Sequence, residues 1–437
     1  MSATYDLIIV GGGISGLRVG IETLKQKPQM RCCILEKYRY IGGRVTTFRR
    51  FDSKLGHIQW ENGAGRISTQ HHRVLQLFKQ YGLTFIPLAE DVDFINDKRA
   101  PIIQANLFTS LVKFYLEPLT KLSKDVLATH TIKELLDDTI GPTKATEFYE
   151  QFPYYSEIHI LRADVALESF ANEMGTNSGF GVCKEGLSEI TTNMMREFIT
   201  LGGTILMETE LCKVISMADG SVSLECIIGG DSNNNNKVIH RGKVAVLALH
   251  HEALKKIEGV NTLSVLRHLK MMPLLRMYAV FPSKKGVSWF SGLNKIVTNS
   301  PVRYIIPINA ARGVIMISYT DGDDAKYWMN QVGGDDNVKD LVMSDVRRLF
   351  PDRTIPDPLF FKQHPWYDGC TYWLPGKYSV VTESNKSLHP RPGTMPHLFM
   401  CGESFAVRQC WIESALEQAD KLLNNQMFRR ACGLFGL

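Results

Sequence analysis

VGGGISGL, residues 10–17, decides how this chain is read. It follows the wholly apolar run YDLIIV (5–10) and opens a stretch of helical spacing from about Ile14 to Lys27. A second apolar run, MRCCILE (30–36), comes next, so the opening reads as a strand–helix–strand unit of a buried parallel sheet. Gly11, Gly13 and Gly16 make a GxGxxG spacing at the strand-to-helix turn. The first glycine permits the tight turn, the second lets a pyrophosphate approach the backbone, and the third lets helix and strand pack closely. The amides of Ile14 and Ser15 lie in the first turn of that helix, where N–H groups without intrahelical partners and a partial positive charge favour phosphate. Glu36 ends the second strand twenty residues beyond Gly16, with Lys37 after it. A carboxylate there accepts both hydroxyls of a ribose and disfavours a 2′-phosphate. The glycines alone are weak evidence; in this order of elements they predict a dinucleotide site.

Working outward, LEKYRYIGGRVTT (35–47) places Gly42, Gly43 and Arg44 just past the acidic residue. A paired-glycine turn and a guanidinium form a second clamp for a pyrophosphate. The 437 residues exceed one ordinary core, which implies at least two domains. With 44% hydrophobic and 22% charged residues, the composition is that of a globular protein. A formal net charge of +5 over this length does not argue for nucleic acid, and no basic tail or RNA-binding signature is present. The nine cysteines show no CxxC pair or framework spacing, so free thiols in the cytoplasm or another reducing compartment are expected. MSATYDLIIVGGG lacks the basic flank of a signal peptide, and no apolar stretch reaches the roughly 20 residues of a membrane helix. No membrane anchor is therefore expected. The pairs His71–His72 and His250–His251 are adjacent rather than four apart, which argues against metal ligation.

Further along, residues 102–172 are mostly helical by pattern, with breaks at Pro118, Gly141 and Pro153. An amphipathic helix is predicted within 187–203 and a buried strand at 243–249. Strands at 274–281, 302–308 and 313–319 suggest a second sheet. GGDSNNNNK (229–237) reads as a polar hairpin loop or a short disordered insert.

The 35–47 segment resembles the flavin-containing amine oxidases, the group of monoamine and polyamine oxidases and their relatives. WENGAGRI (60–67) is similar to that family's glycine-bearing segment beside the flavin, which implies roles for Gly63, Ala64, Arg66 and Ile67. TELCKVI (209–215) resembles the strand whose valine meets the adenine, here Val214, and VAVLALHHEALKKI (244–257) a later strand and turn. FMCGESFAVRQCWIESALEQA (399–419) resembles the C-terminal flavin signature. There the resemblance gives Gly402 and Glu403 to the ribityl and phosphate. The helix beginning near Trp411 and Ile412 would turn its N-terminus to the pyrimidine end of the flavin, where reduced flavin carries negative charge.

The same resemblance names the catalytic candidates. MPLLRMYAVFP (272–282) is similar to the strand that carries a lysine near flavin N5, and here Arg276 stands in its place. Arginine cannot act as a neutral base, yet it can hold a water, a flavin oxygen or negative charge developing on oxygen. The other reading of Arg276 is a structural cation paired with a buried carboxylate. Trp411 falls at the position of one of two aromatic rings that flank the amine, and Tyr372 is a candidate for the second. WYDGCTYWLPG (366–376) resembles the segment in which monoamine oxidases carry a flavin-linked cysteine; the shorter loop to Gly376 moves Cys370 off that position, so non-covalent FAD is the expectation.

The implied architecture is α/β with two domains. A discontinuous Rossmann-type FAD-binding domain would comprise 1–90, 183–260 and 361–437, and a mixed α+β substrate domain 91–182 and 261–360. The implied function is FAD-dependent removal of a hydride from an amine-bearing carbon, with O2 as acceptor. Two alternatives stay open: an FAD-binding protein without amine turnover, and a related desaturase or porphyrinogen-type oxidase. Oligomeric state and substrate identity are not legible.

Overall fold

The computed structural model describes residues 4–89, 91–96, 107–173, 179–229 and 237–434. The polar stretch 230–236 lies outside the described residues. The chain divides into two compact units. The first comprises Met1–Pro87, Phe180–Leu269 and Tyr378–Leu437; the second comprises Leu88–Gly179 and Lys270–Lys377.

In the first unit the strand Thr4–Val10 lies between Cys32–Leu35 and Lys237–Leu247, parallel to both. Such a strand is covered on both faces, which is why Leu7–Val10 is a continuous apolar run and fully buried. Lys237–Leu247 shows both regimes within one strand. Its first half pairs antiparallel with Val222–Ile228 and alternates between exposed and partly buried residues. Its last four residues pair with parallel strands on each side, Thr4–Val10 and Leu398–Met400, and are buried without alternation. The helix Ile14–Gln26 packs Leu17, Ile21 and Leu24 into this core, and the Ser15 hydroxyl donates to the Ala415 carbonyl of the helix Ile412–Leu423 at 2.9 Å. It stops at Lys27, because Pro28 disfavours helical backbone in the residue before it.

The second unit holds a six-stranded sheet in the order Phe360–Trp373, Leu269–Val280, Val314–Asp321, Tyr304–Asn309, Lys295–Thr298, Val92–Ile95. One face is an aliphatic core containing Leu275, Met277, Ile305, Ile315 and Ile317. The helix Gly334–Leu349 lays Val338, Val342, Val346 and Leu349 on that core. Acids in its first turn and arginines in its last match the helix dipole. A β-bulge fixes the opposite face. Met277 pairs with Ser318 but Tyr278 pairs with Met316, so Ile317 is an extra residue in its strand. The bulge turns the strand by one position, and Tyr319 falls opposite Arg276 instead of opposite Leu275. Tyr304 pairs with Tyr319 on the next strand, so Arg276, Tyr319 and Tyr304 line one face.

The segment 361–377, expected with the FAD-binding segments, belongs to the second unit, where Phe360–Trp373 is the edge strand beside Leu269–Val280. The physical reason is the close fit of Gly369, where a Cβ would come 2.8 Å from that of Leu274. Among the described residues no helix is long and apolar enough to cross a membrane.

Candidate active site

In the first unit the predicted cofactor residues converge. The carboxylate of Glu36 accepts the Gly12 N–H on Oε2 at 2.8 Å and the Tyr38 N–H on Oε1 at 2.9 Å. Each oxygen keeps a lone pair for a ribose hydroxyl. Burial raises the Glu36 pKa, against the opposing pull of those backbone donors. Gly16 is required sterically, since a Cβ there would lie 2.1 Å from the Gly11 carbonyl oxygen. Gly13 caps the helix with no side-chain bond, and a Cβ built on it meets nothing within 4 Å. The first helical bond runs from Leu17 N–H to Gly13, and no acidic side chain occupies the first turn. Open space beside a helix N-terminus without competing anions fits a pyrophosphate.

The paired-glycine turn closes on this loop. Gly42 N–H donates to the Gly12 carbonyl at 3.0 Å, and a Cβ on Gly43 would come 3.7 Å from the Gly13 Cα. Gly63 presses against the Arg44 carbonyl, which a Cβ would approach to 2.1 Å, and Ala64 N–H donates to the same oxygen at 2.9 Å. The Arg44 guanidinium is bound by Glu403, Nη2 to Oε2 at 2.7 Å. Glu403 Oε1 accepts the Cys410 N–H at 2.7 Å, with Cys410 in the left-handed region at φ 71°. A carboxylate would repel a phosphate, so Glu403 acts here by holding Arg44 and the Cys410 turn, while Gly402 (φ 131°) makes the bend before it.

Other predicted residues are held elsewhere. Lys37 is drawn to Glu210 at 2.7 Å on the surface. Val214, expected against the adenine, donates its N–H to the Glu258 carbonyl at 2.9 Å, while Thr209 of the same strand donates its N–H to the Glu36 carbonyl at 2.8 Å. Trp411 is the N-cap residue of the helix Ile412–Leu423, and Ile412 is buried behind it. Its ring stacks on Phe180 with centroids 6.0 Å apart and meets the edge of His71 at 4.7 Å. Arg66 lies over the same group, 4.4 Å from the Phe180 ring and 5.7 Å from that of Trp411. Ile67 is buried and pairs with Gly181. His71 is held neutral, its pKa lowered to about 4 by burial and then by Arg408 and Arg66. His250 is lowered to about 3 by burial and then by Arg44; its Nδ1 accepts the Ala253 N–H at 3.3 Å.

The second unit presents a different constellation. Arg276 lies 5.6 Å from the centre of the Tyr319 ring. Tyr154 and Tyr304 stand against the same ring at 6.4 and 6.3 Å. The short helix Tyr155–His159 is fastened by Asp321, which accepts the N–H groups of Tyr155 at 2.9 Å and Ser156 at 2.8 Å. Burial raises the Asp321 pKa to about 6 in spite of these bonds. From that helix Glu157 accepts the Tyr372 hydroxyl at 3.4 Å. Its pKa is raised well above the ordinary carboxylate range by burial, then by Asp321 and Cys370. Cys370 is a free, partly buried thiol in this group. Glu157, Asp321, Tyr319, His71 and Phe180 were not singled out by sequence reasoning. YYSEIH (154–159) carries no motif, although a lone acid in an apolar helical stretch was a signal, and SYTDGDD (318–324) reads as a surface turn.

Close glycine turns, a buried acid after the second strand and an arginine anchored by Glu403 thus meet in the first unit. The chain belongs to the flavin-containing amine oxidoreductase family, whose model matches residues 14–421, and its cofactor is FAD. It is 31% identical over 101 residues to a flavin-containing amine oxidase of Oncorhynchus mykiss and 30% over 100 residues to one of Danio rerio. Each match spans 22% of this chain and 18% of the fish protein. An uncharacterized protein of Acanthamoeba polyphaga mimivirus is 18% identical over 96% of this chain and 93% of its own length. Among solved structures, wild-type putrescine oxidase bound to putrescine matches with a TM-score of 0.71 at 13% identity, covering 99% of both chains. A single-mutant form of that enzyme gives 0.73 with the same coverage. At such identity the likeness carries the fold.

Proposed function

We propose that this protein is an FAD-dependent amine oxidase: it takes a hydride from a carbon bearing nitrogen and passes the electrons to O2. The observation that carries the proposal is the cradle of Gly12, Glu36, Arg44 and Glu403, found in a chain of this family. FAD, when bound, supplies the two-electron acceptor. The dinucleotide domain is read as Rossmann-type, with Glu36 on the ribose, the amides of Ile14–Gly16 and Arg44 on the pyrophosphate, and the helix that follows Trp411 toward the flavin ring. The Trp411–Phe180 stack and Tyr372 supply aromatic faces of the kind that guide an amine. Arg276 provides a guanidinium suited to stabilising negative charge on oxygen as O2 is reduced. The putrescine oxidase structures concern an amine substrate, in keeping with this reading.

The test is anaerobic. The purified yellow protein is mixed with a panel of primary, secondary and aromatic amines while its flavin absorption is followed. Bleaching by at least one amine, and recovery on admitting O2 with formation of peroxide, is the expected result. A flavin that no amine bleaches, though dithionite does, contradicts the proposal.

A further inference from the structure

Two helices of the first unit bring their N-termini together around one acid. The helix Ile412–Leu423 starts from Trp411, and the helix His72–Tyr81 starts from His71. The rings of these two N-cap residues meet edge to face at 4.7 Å. The His71 side chain makes no cap bond to its own helix. Glu413, in the first turn of the Ile412–Leu423 helix, supplies that cap from across the contact. Its Oε1 accepts the Arg73 N–H and its Oε2 the Val74 N–H, both at 3.1 Å. Oε1 also takes the Arg73 guanidinium, with Nη1 at 3.0 Å. The same guanidinium reaches Asp420 through Nε at 2.9 Å, and Asp420 holds Arg18 at 3.0 Å. Glu413 and Asp420 are two turns apart on one face of their helix, and Arg73 grips both.

A carboxylate in that place has an electrostatic consequence. The first amides of a helix carry about half an elementary positive charge. In the proposed function this helix end faces the flavin, where it favours the negative charge of the reduced ring. An ionised acid in the first turn opposes that effect, and a full negative charge outweighs half a positive one unless a cation answers it. Arg73 answers it here, and the amides of the second helix add to the same side. We propose that Arg73 and Glu413 set the reduction potential of the bound flavin. Glu413 docks the two helix ends on each other, and Arg73 cancels the charge that Glu413 brings, so that the end stays positive. Both act through the helix and are positioning residues. The Glu413 side chain is 11% exposed and that of Arg73 40%, so water screens the cation in part and the effect is moderate. The inference rests on the FAD cradle and the orientation of the helix that follows Trp411; it does not depend on the substrate being an amine.

The experiment measures the midpoint potential of the FAD-loaded protein by slow reduction against a reference dye, which requires no turnover of substrate. Wild type is compared with Arg73→Gln, Arg73→Lys, Glu413→Gln and the double variant Arg73→Gln/Glu413→Gln. Arg73→Gln uncovers the acid, so the equilibrium constant for two-electron reduction should fall about tenfold, a shift of about 30 mV to lower potential. Glu413→Gln removes the acid and keeps the cation, so its potential should move the other way, by about threefold in that constant. Arg73→Lys and the double variant should lie close to wild type. Opposite signs for the two single variants separate this role from a merely structural one, because loosening one contact from either side would move both alike. Thermal unfolding checks that each variant is folded; if Arg73→Gln is not, the rise in Glu413→Gln and its reversal in the double variant still decide the matter. Shifts of the same sign in both single variants, or unshifted potentials in folded, FAD-loaded proteins, overturn the proposal and leave the cradle reading intact. A wild type that takes up no FAD contradicts the cradle reading, and the proposal with it.

Discussion

The two units reach their candidate chemistry by opposite routes. In the first, backbone does most of the work: Gly11, Gly16, Gly42 and Gly63 let main chain approach main chain, and Glu36, Arg44 and Glu403 are charged side chains of the cradle. In the second, side chains do the work, and a bulge at Ile317 brings Tyr319 onto the face of Arg276. A backbone site demands particular residue types at fixed spacing, so substitutions within it should be severe and should act on cofactor retention. A side-chain site tolerates substitution, and changes there should act on substrate or rate while the cofactor stays bound.

Gly16→Ala should break the comparison hardest if it is wrong. A Cβ 2.1 Å from the Gly11 oxygen forces the turn apart, and FAD content after gel filtration should fall to near zero. Next comes Arg44→Ala. It removes a charge-assisted contact of about 1.5–3 kcal/mol, and it leaves the poorly exposed Glu403 carboxylate unpaired beside an anionic ligand. FAD affinity, measured by fluorescence quenching on reconstitution, should drop about 10- to 100-fold. The double variant Arg44→Ala/Glu403→Gln should bind FAD better than Arg44→Ala alone, which a structural role for Glu403 unrelated to Arg44 does not predict.

That contrast also marks what the sequence made legible. The glycine spacing, Glu36 and the 42–44 turn could be read because each residue type has a steric or electrostatic reason at that distance from the first strand. Glu403 was found but its partner was not, since Arg44 lies 359 positions away and the pairing exists only in the fold. Segment 361–377 was given to the wrong unit because a motif's neighbours in sequence need not be its neighbours in a sheet. Asp321 was hidden for a related reason: burial of an acid depends on packing, and SYTDGDD looks like an ordinary polar turn, while Glu157 left only the weak signal of a lone acid in an apolar stretch.

Smaller effects sharpen the picture of the second unit. Arg276→Met should retain FAD fully, yet slow reoxidation of the substrate-reduced protein about tenfold, the effect of losing about 1.4 kcal/mol of transition-state stabilisation. Stopped-flow mixing with O2 measures it, and Arg276→Lys should restore part of the rate. Wild-type reoxidation in a less stable Arg276→Met protein would make the arginine structural. The buried histidines give a pH signature. His71, His159 and His364 are lowered to about 4 and His250 to about 3, chiefly by burial. The unfolded chain binds these protons near the ordinary pKa of about 6.5, so stability should be complete above that pH and fall as pH drops toward 4. Urea midpoints across this range should show the slope, and His71→Gln should flatten it. The smallest effect expected is none: FAD should leave the acid-precipitated protein equally in wild type and Cys370→Ser, as non-covalent binding requires.

On the proposed function, the cradle in the first unit holds FAD for oxidation of an amine. Anaerobic stopped-flow of the FAD-loaded protein with amines, run in parallel on wild type and on Arg44→Ala reconstituted at saturating FAD, decides it. The account predicts that wild type is bleached by an amine. Saturated Arg44→Ala should be bleached at a similar rate, since Arg44 serves retention. Full flavin content in wild type with no bleaching by any amine would contradict it.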